Sequence, residues 1–399
     1  MRTCRFCGRT GMHEFIDMGY QPPSNAFLTK QQLEDPETYY PLKLFVCDSC
    51  FLVQIDEYKH AKDIFNKDYV YYSSQSPTNV SHAKEFVDMV VSRFHPIDIL
   101  EIGSNDGYLL QHFPKNLNVS GVDPSDGPAN VANNKGIQTW NEFFDTKFAT
   151  ECNMKFDLIC GINVIAHQPD INDFVEGLRI ALAPGGVIIM EFPHLMLLIE
   201  NCQFDTIYHE HYSYFSFGTI CEIFKRHGLE MFYVEEIPEH GGSLRIYAGH
   251  QGRRYINNAI YDFSNYEYAK GIHTIDFYQG FQFRIEEIRK NFMQFLYNLP
   301  DDQLILAYGA AAKGNTFLNY CKVTPDLLPM VVDRSPHKQN KYLPGSHIRV
   351  GNEEELKQLQ PFLVLILAWN LKDEVMEQLK YIREWGGRFV VAIPKLEVI

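Results

Sequence analysis

The sequence predicts an α/β protein in three parts, and three patterns carry that reading. A turn-rich opening holds two Cys-x-x-Cys pairs. From about residue 80, apolar runs of strand length alternate with helix-like segments, as in "IDILEIGSNDG", "LNVSGVDPS", "FDLICGINVIAH" and "GGVIIMEFP". The last part starts the alternation again with "QLILAYGAAAKGNTFLNY", "LPMVVDRS", "PFLVLILAWN" and "RFVVAIP". Alternation of this kind implies mostly parallel sheets with helices on their faces. A chain of 399 residues exceeds one ordinary core, so residues 1–75, 76–250 and 299–399 read as domains, with 251–298 as a helical connector.

The opening comes first. Cys4, Cys7, Cys47 and Cys50 form two C-x2-C pairs. Two-residue spacing lets each pair of thiolates grip one ion from a tight turn, and four sulfurs fill a tetrahedral zinc shell with no open position. Such a site is structural and helps fold a segment with few core residues of its own. Iron suits the same sulfur cage. The other five cysteines are scattered, which favours a metal site plus reduced thiols over disulfides.

The central part turns on "ILEIGSNDGYLL", a strand running into a glycine turn and then a helix. Gly103 and Gly107 permit the tight turn and close backbone approach, with Glu101 at the strand end and Asn105 and Asp106 in the turn. Asp123 in "GVDPS" stands about 20 positions on, where a carboxylate accepts from ribose hydroxyls. The loop lacks a three-glycine dinucleotide pattern and carries acidic residues. These suit an adenosine's hydroxyls and a cationic amino acid, which points to S-adenosylmethionine. Asn163 and His167, in "FDLICGINVIAHQPD", end a later strand at the sheet's carboxyl edge, where ligands of open α/β sheets bind. With "LRIALAPGGVIIME" the pattern looks like that of class I methyltransferases.

Next in the chain, "FDTIYHEHYSYFS" sets Tyr208, His209, Glu210 and His211 side by side. A histidine near its free pKa of about 6.5 takes a proton at neutral pH, and a neighbouring carboxylate orients it. Placed after the strand "GVIIMEF", this block would share the sheet edge with Gly103 and Asn163. A hydrogen-bonded surface loop is the bland alternative. In the last part, the loop and helix of "LAYGAAAKGNTFL", with Lys313 and Asn315, offer backbone N–H groups and a cation as a seat for a diphosphate; a tightly packed turn needing small residues explains the same letters. Arg245 in "EHGGSLRIY" is a second phosphate or sugar contact, or an exposed hairpin residue.

Over nearly its whole length the chain resembles the sugar C-methyltransferases that act on nucleotide-linked 4-keto deoxysugars. The resemblance lies in the CxxC pairs, "MGYQPPSNAFL", "DYVYYSSQSPT", "EIGSNDG", "NVIAHQPD", "YHEHYSYFS", "GGSLRIY", "YGAAAKGNTFLNY" and "AWN". It implies a zinc-holding N-terminal domain, a central class I, Rossmann-like domain for S-adenosylmethionine and a C-terminal Rossmann-like domain that helps hold the sugar nucleotide. It makes His211 the base, with Glu210 and Tyr208 nearby, and places Tyr71 and His167 at the active site. Tyr72 competes with Tyr71 for that assignment. Ala311 stands where proline is usual after "YGA", and Gln168 where an aliphatic residue is usual.

The formal charge of −14 argues against a nucleic-acid partner, which leaves a basic footprint. No run approaches a membrane span and the polar start has no signal-peptide character, so a cytoplasmic enzyme is expected, a monomer or small homo-oligomer. An O- or N-methyltransferase, and a zinc-ribbon binding protein on a methyltransferase-like scaffold, are the competing readings.

Overall fold

The computed structural model describes residues 2–65, 69 and 71–399. Of the motif "DYVYYSS", Asp68 and Val70 lie outside the described residues. The chain forms two compact units. One comprises Met1–His13, Phe45–Met196 and Glu210–Phe277; the other comprises Glu14–Leu44, Leu197–His209 and Tyr278–Ile399. Strands β1 (Met12–Gln21) and β2 (Tyr40–Cys47) are neighbours, and β3 (Val53–Ile55) follows the second cysteine pair.

The first unit is built on a seven-stranded sheet. Strands β4 (Asp98–Ile102), β5 (Asn118–Val122), β6 (Thr139–Trp140), β7 (Phe156–Ile162) and β8 (Leu182–Pro193) are parallel. The short β9 (Ser213–Tyr214) pairs antiparallel with β3. Then β10 (Leu229–Ile237) and β11 (Ser243–His250) complete the order β10-β11-β8-β7-β4-β5-β6, with β11 antiparallel to both neighbours. This is the class I methyltransferase sheet. Period-two alternation divides its apolar side chains between two cores. Ile99, Leu158, Cys160, Val187 and Ile189 join one; Leu100, Ile102, Ile159, Ile188, Met190 and Phe192 join the other.

Local signals start and stop the flanking helices. Helix Pro77–Phe94 has proline in its first turn, Ser76 accepting from the Asn79 N–H as N-cap, and a left-handed His95 at its end. Its buried stripe is Ala83, Phe86, Val87 and Val90, spacing that lays one face on the sheet.

In the second unit, β12 (Ile305–Tyr308), β13 (Met330–Val332), β14 (Arg349–Gly351), β15 (Leu363–Ile366), β16 (Arg388–Val391) and β17 (Glu397–Val398) form a sheet of order β14-β13-β12-β15-β16-β17. All its pairings are parallel except β16 with β17. Helix Phe281–Tyr297 belongs to this unit, and its Phe281 ring stacks on Phe15 at 5.1 Å.

Candidate active site and cysteine centre

The four cysteines converge. Their sulfurs all lie within 4.8 Å of one another, with Cys4 to Cys50 at 3.5 Å and Cys7 to Cys47 at 3.6 Å. Metal–sulfur bonds of about 2.3 Å in a tetrahedron put sulfurs about 3.8 Å apart, so the cage fits zinc. Both knuckles close the same way: the Gly8 N–H returns to the Cys4 carbonyl at 2.9 Å and the Phe51 N–H to the Cys47 carbonyl at 3.0 Å. Each closing residue has a positive φ, 75° at Gly8 and 56° at Phe51.

At the carboxyl end of β4 the chain turns through Gly103 (φ 66°), Asn105 (φ 49°) and Gly107 (φ 76°). The Gly103 N–H donates to the Val122 carbonyl at 2.8 Å. Asp123 receives the Asn105 N–H at 2.9 Å and the Ser125 N–H at 2.8 Å, which fixes the loop against the end of β5. Glu101 is 1% exposed, and neither carboxylate oxygen has a hydrogen-bond partner. Burial raises its pKa well above the usual carboxylate value, with Asp123 and Asp106 adding to the rise. A buried, unpartnered carboxyl beside two more carboxylates is a poor arrangement by itself and a good one for a cation. The Asn163 Oδ1 is likewise buried and unpartnered, while the residue's main-chain N–H donates to the Glu191 carbonyl at 2.8 Å.

The segment after Val70 closes on this loop. Asn105 accepts from the Ser73 N–H at 2.8 Å and donates to the Tyr71 carbonyl at 3.2 Å. Asp106 accepts from the Ser74 N–H at 3.3 Å and from its hydroxyl. Tyr71 is 40% exposed, and its hydroxyl accepts from Asn79 at 3.1 Å. Tyr72 instead turns its hydroxyl towards Gly127, by the helix Asp126–Asn134.

The histidines are brought together. The rings of His167 and His211 stand 4.7 Å apart, inclined at 69°. The Tyr212 N–H holds the two segments in register by donating to the Ala166 carbonyl at 2.8 Å. Glu210 and His211 are buried. Burial lowers the His167 pKa to about 4 against a hydrogen bond with the Glu210 main chain, so this ring is neutral at neutral pH. Its Nδ1 is buried without a partner. Tyr208 and His209 fall in the second unit.

Lys313 and Asn315 lie in the first turn of the helix Ala312–Cys321. Lys313 donates to the Asn370 side chain at 2.8 Å, with its ammonium 5.4 Å over the Trp369 ring. Asn315 is 1% exposed with both side-chain polar atoms unpartnered. Asp205, fully buried in the same unit, accepts from the Trp369 indole at 2.8 Å, and burial pushes its pKa up to about 6. Arg245 is engaged elsewhere: its guanidinium pairs with Glu191 at 2.5 Å and with Glu235 at 3.1 Å.

Three family models match the chain in order. They are described as "Putative zinc binding domain" over residues 4–65, "Methyltransferase domain" over 80–234 and "C-methyltransferase C-terminal domain" over 238–394. The C-methyltransferase NovU of Streptomyces niveus is 32% identical over 407 residues, covering 99% of this chain and 96% of NovU. The chain belongs to the C-methyltransferase family. Among solved structures, magnesium protoporphyrin IX methyltransferase of Synechocystis with bound S-adenosylmethionine is 14% identical, covering 49% of this chain and 99% of its own, with a TM-score of 0.36. An S-adenosylmethionine-dependent methyltransferase of Clostridium acetobutylicum is 15% identical, covering 43% and 92%, with a TM-score of 0.35.

As a C-methyltransferase the chain takes S-adenosylmethionine as methyl donor, and its cysteine cage takes zinc. The cationic donor suits the unpartnered Glu101. No helix of the described residues is long and apolar enough to cross a membrane. Two features around this loop and sheet escape motif reading. Ser73 and Ser74, which tie down the loop, had their signal in the "YYSS" run. The ion network around Glu191 had none, because its members lie far apart: His82 meets Glu191 at 2.7 Å and Glu239 at 2.9 Å. Burial alone would lower the His82 pKa, but the two carboxylates outweigh it and hold it up to about 9.

Proposed function

We propose that this enzyme methylates a carbon beside the ketone of a nucleotide-linked 4-keto deoxysugar, with His211 as general base. The observation that carries the reading is the buried pair of imidazoles, one of them held neutral. An sp3 C–H beside a carbonyl loses its proton to give an enolate, which an unactivated C–H does not. His211 takes that proton, and Glu210 orients the ring and stabilises its charged form. His167, neutral and with Nδ1 unspent, is suited to orient the sugar or to meet the developing oxyanion through a hydrogen bond. Tyr208 and Tyr71 are the further candidates for positioning the sugar. S-adenosylmethionine supplies an electrophilic methyl group, and Glu101, Gly103, Asn105, Asp106, Gly107, Asp123 and Asn163 are the residues proposed to hold it. The product is a branched sugar nucleotide, of use for a surface polysaccharide or natural product.

The test uses a panel of dTDP-, GDP- and CDP-linked 4-keto-6-deoxyhexoses. Replacing His211→Asn should leave the S-adenosylmethionine Kd within about twofold while lowering methyl transfer by at least about 100-fold, at the lower end of what a positioned base contributes. Exchange of the sugar proton with deuterated water should fall equally. Full exchange in the variant would remove His211 as base. Carbon NMR of the product separates methylation at carbon from methylation at oxygen or nitrogen.

A further inference from the structure

The cysteine centre sits in the same unit as the two histidines, and one side chain reaches from it towards both. Arg5 lies between Cys4 and Cys7. Its guanidinium donates to the Pro169 carbonyl at 2.8 Å, to the Ile55 carbonyl and to the Gln54 side chain at 3.2 Å. Pro169 comes two residues after His167, just past the turn Ile165–His167. The guanidinium also stands 5.5 Å from the ring of Tyr212, the residue after His211. Asn172 also binds the first knuckle, donating to the Arg5 and Phe6 carbonyls at 3.0 Å each.

The second knuckle makes a parallel connection through the backbone. From Cys50 the chain runs into β3, which pairs with β9 as Val53 with Tyr214 and Gln54 with Ser213. The Ile55 N–H donates to the Tyr212 carbonyl at 3.1 Å, and the Tyr212 hydroxyl donates to the Lys59 carbonyl at 2.9 Å. The Thr219 hydroxyl donates to the Cys50 carbonyl at 3.0 Å. The backbone that presents His211 is therefore zipped to the strand that leaves the metal cage. The backbone that presents His167 is bonded to the side chain inside the first knuckle.

We infer that Arg5 is a positioning residue for the reaction, through which the zinc knuckle sets the spacing of His167 and His211. A planar guanidinium suits this task because its fork reaches several carbonyls at once in a fixed plane. The metal cage is then part of the scaffold that aligns the proton-handling groups as well as a staple for the N-terminal segment. The inference rests on the reading of His211 as base.

The test compares zinc-replete Arg5→Lys and Arg5→Met with the parent enzyme. Zinc content, the S-adenosylmethionine Kd, the kcat and KM for the accepted 4-keto sugar, and 13C resonances of labelled histidine rings are measured. His167→Gln and His211→Asn assign the ring signals, and exposed His95 serves as the internal control. Both variants should keep one zinc per chain and the parent Kd within about twofold, while kcat falls about 10- to 100-fold, as expected for misaligned catalytic groups. KM should change by less than about threefold on the same argument, with Lys milder than Met because it keeps a cationic donor group. The His167 and His211 resonances should both move and that of His95 should not. Should Met lose zinc, the Lys variant decides. Unmoved resonances, a parent-like kcat, a Kd that weakens as much as kcat falls, or loss of zinc from both variants each overturns the inference. If the parent turns over no sugar on the panel, the proposed reaction fails by itself, and the ring resonances still decide on Arg5.

Discussion

The two sheets carry corners with nearly the same wiring and opposite charge. In the first unit the Gly103 N–H donates to the Val122 carbonyl at 2.8 Å, and in the second the Gly309 N–H donates to the Val332 carbonyl at 2.8 Å. Both glycines have positive φ, 66° and 95°. Asp123 receives the N–H groups of Asn105 and Ser125, and Asp333 receives those of Ala310 and Ser335, the last two at 2.8 Å. The residue two before the glycine then differs: Glu101 in one corner, Ala307 in the other. The first corner adds Asp106 and one cation, the Lys135 ammonium, at 3.6 Å from the Asp106 carboxylate and 2.8 Å from its carbonyl, against three carboxyl groups. The second adds Lys313 and Lys338, whose ammonium donates to the Ala310 carbonyl at 3.0 Å. Glycine and the strand-end aspartate shape such a corner, and the side chains around them set its charge.

Between the two corners, the largest effect should come from neutralising the first. Glu101→Gln keeps the shape and removes the charge, and hydrogen bonds to charged groups contribute about 1.5–3 kcal/mol, so the S-adenosylmethionine Kd should rise about 10- to 100-fold. Calorimetry reads it directly. The pH dependence follows from the same residue. Its raised pKa means that the free enzyme holds a proton on Glu101 where an ordinary carboxylate would not, whereas a cation favours the ionised form. Affinity should therefore fall as pH drops through the raised pKa and level off above it, and Glu101→Gln should lose that component of the pH dependence. A parent enzyme whose Kd shows no pH-dependent component that Glu101→Gln removes would show that Glu101 does not face the cation.

Much of the first corner was legible in the letters because its determinants are local. "EIGSNDG" gives the turn, and "GVDPS" gives the aspartate. The cysteine cage was legible for the same reason, since two knuckles of four residues state their own geometry. The match between the corners was present too, as Val-Asp-x-Ser at Val122–Ser125 and again at Val332–Ser335, but four letters far apart carry little weight without backbone partners to confirm them. What the letters withheld was long range. Arg245 looks the same in a sequence whether it faces a phosphate or is locked between Glu191 and Glu235. The interleaving of the two units is silent for the same reason: residues 14–44 join a unit whose sheet begins at Ile305 through packing that no local pattern announces.

A smaller effect is expected in the second corner. Lys313→Met removes the ammonium beside the first turn of its helix and keeps an apolar stem. A hydrogen bond from this ammonium, which the Asn370 side chain accepts here, contributes about 0.5–1.5 kcal/mol net, so the KM of the accepted sugar nucleotide should rise about three- to tenfold with the S-adenosylmethionine Kd unchanged. Equal loss of both affinities would mean that the corners do not divide the ligands between them.

The smallest difference is the one that tests the shared wiring. Asp123→Asn and Asp333→Asn each replace one carboxylate oxygen by an amide nitrogen, so one of the two main-chain N–H groups loses its acceptor. An unsatisfied buried donor costs about 1–3 kcal/mol, and because both aspartates make the same pair of bonds the two penalties should agree within about 1 kcal/mol. Amide hydrogen exchange reports this locally: protection should drop at Asn105 or Ser125 in the first variant and at Ala310 or Ser335 in the second. Only the first should also weaken S-adenosylmethionine. If Asp333→Asn leaves exchange in its corner unchanged while Asp123→Asn abolishes protection, the likeness of the two corners is confined to backbone shape, and their aspartates do different work.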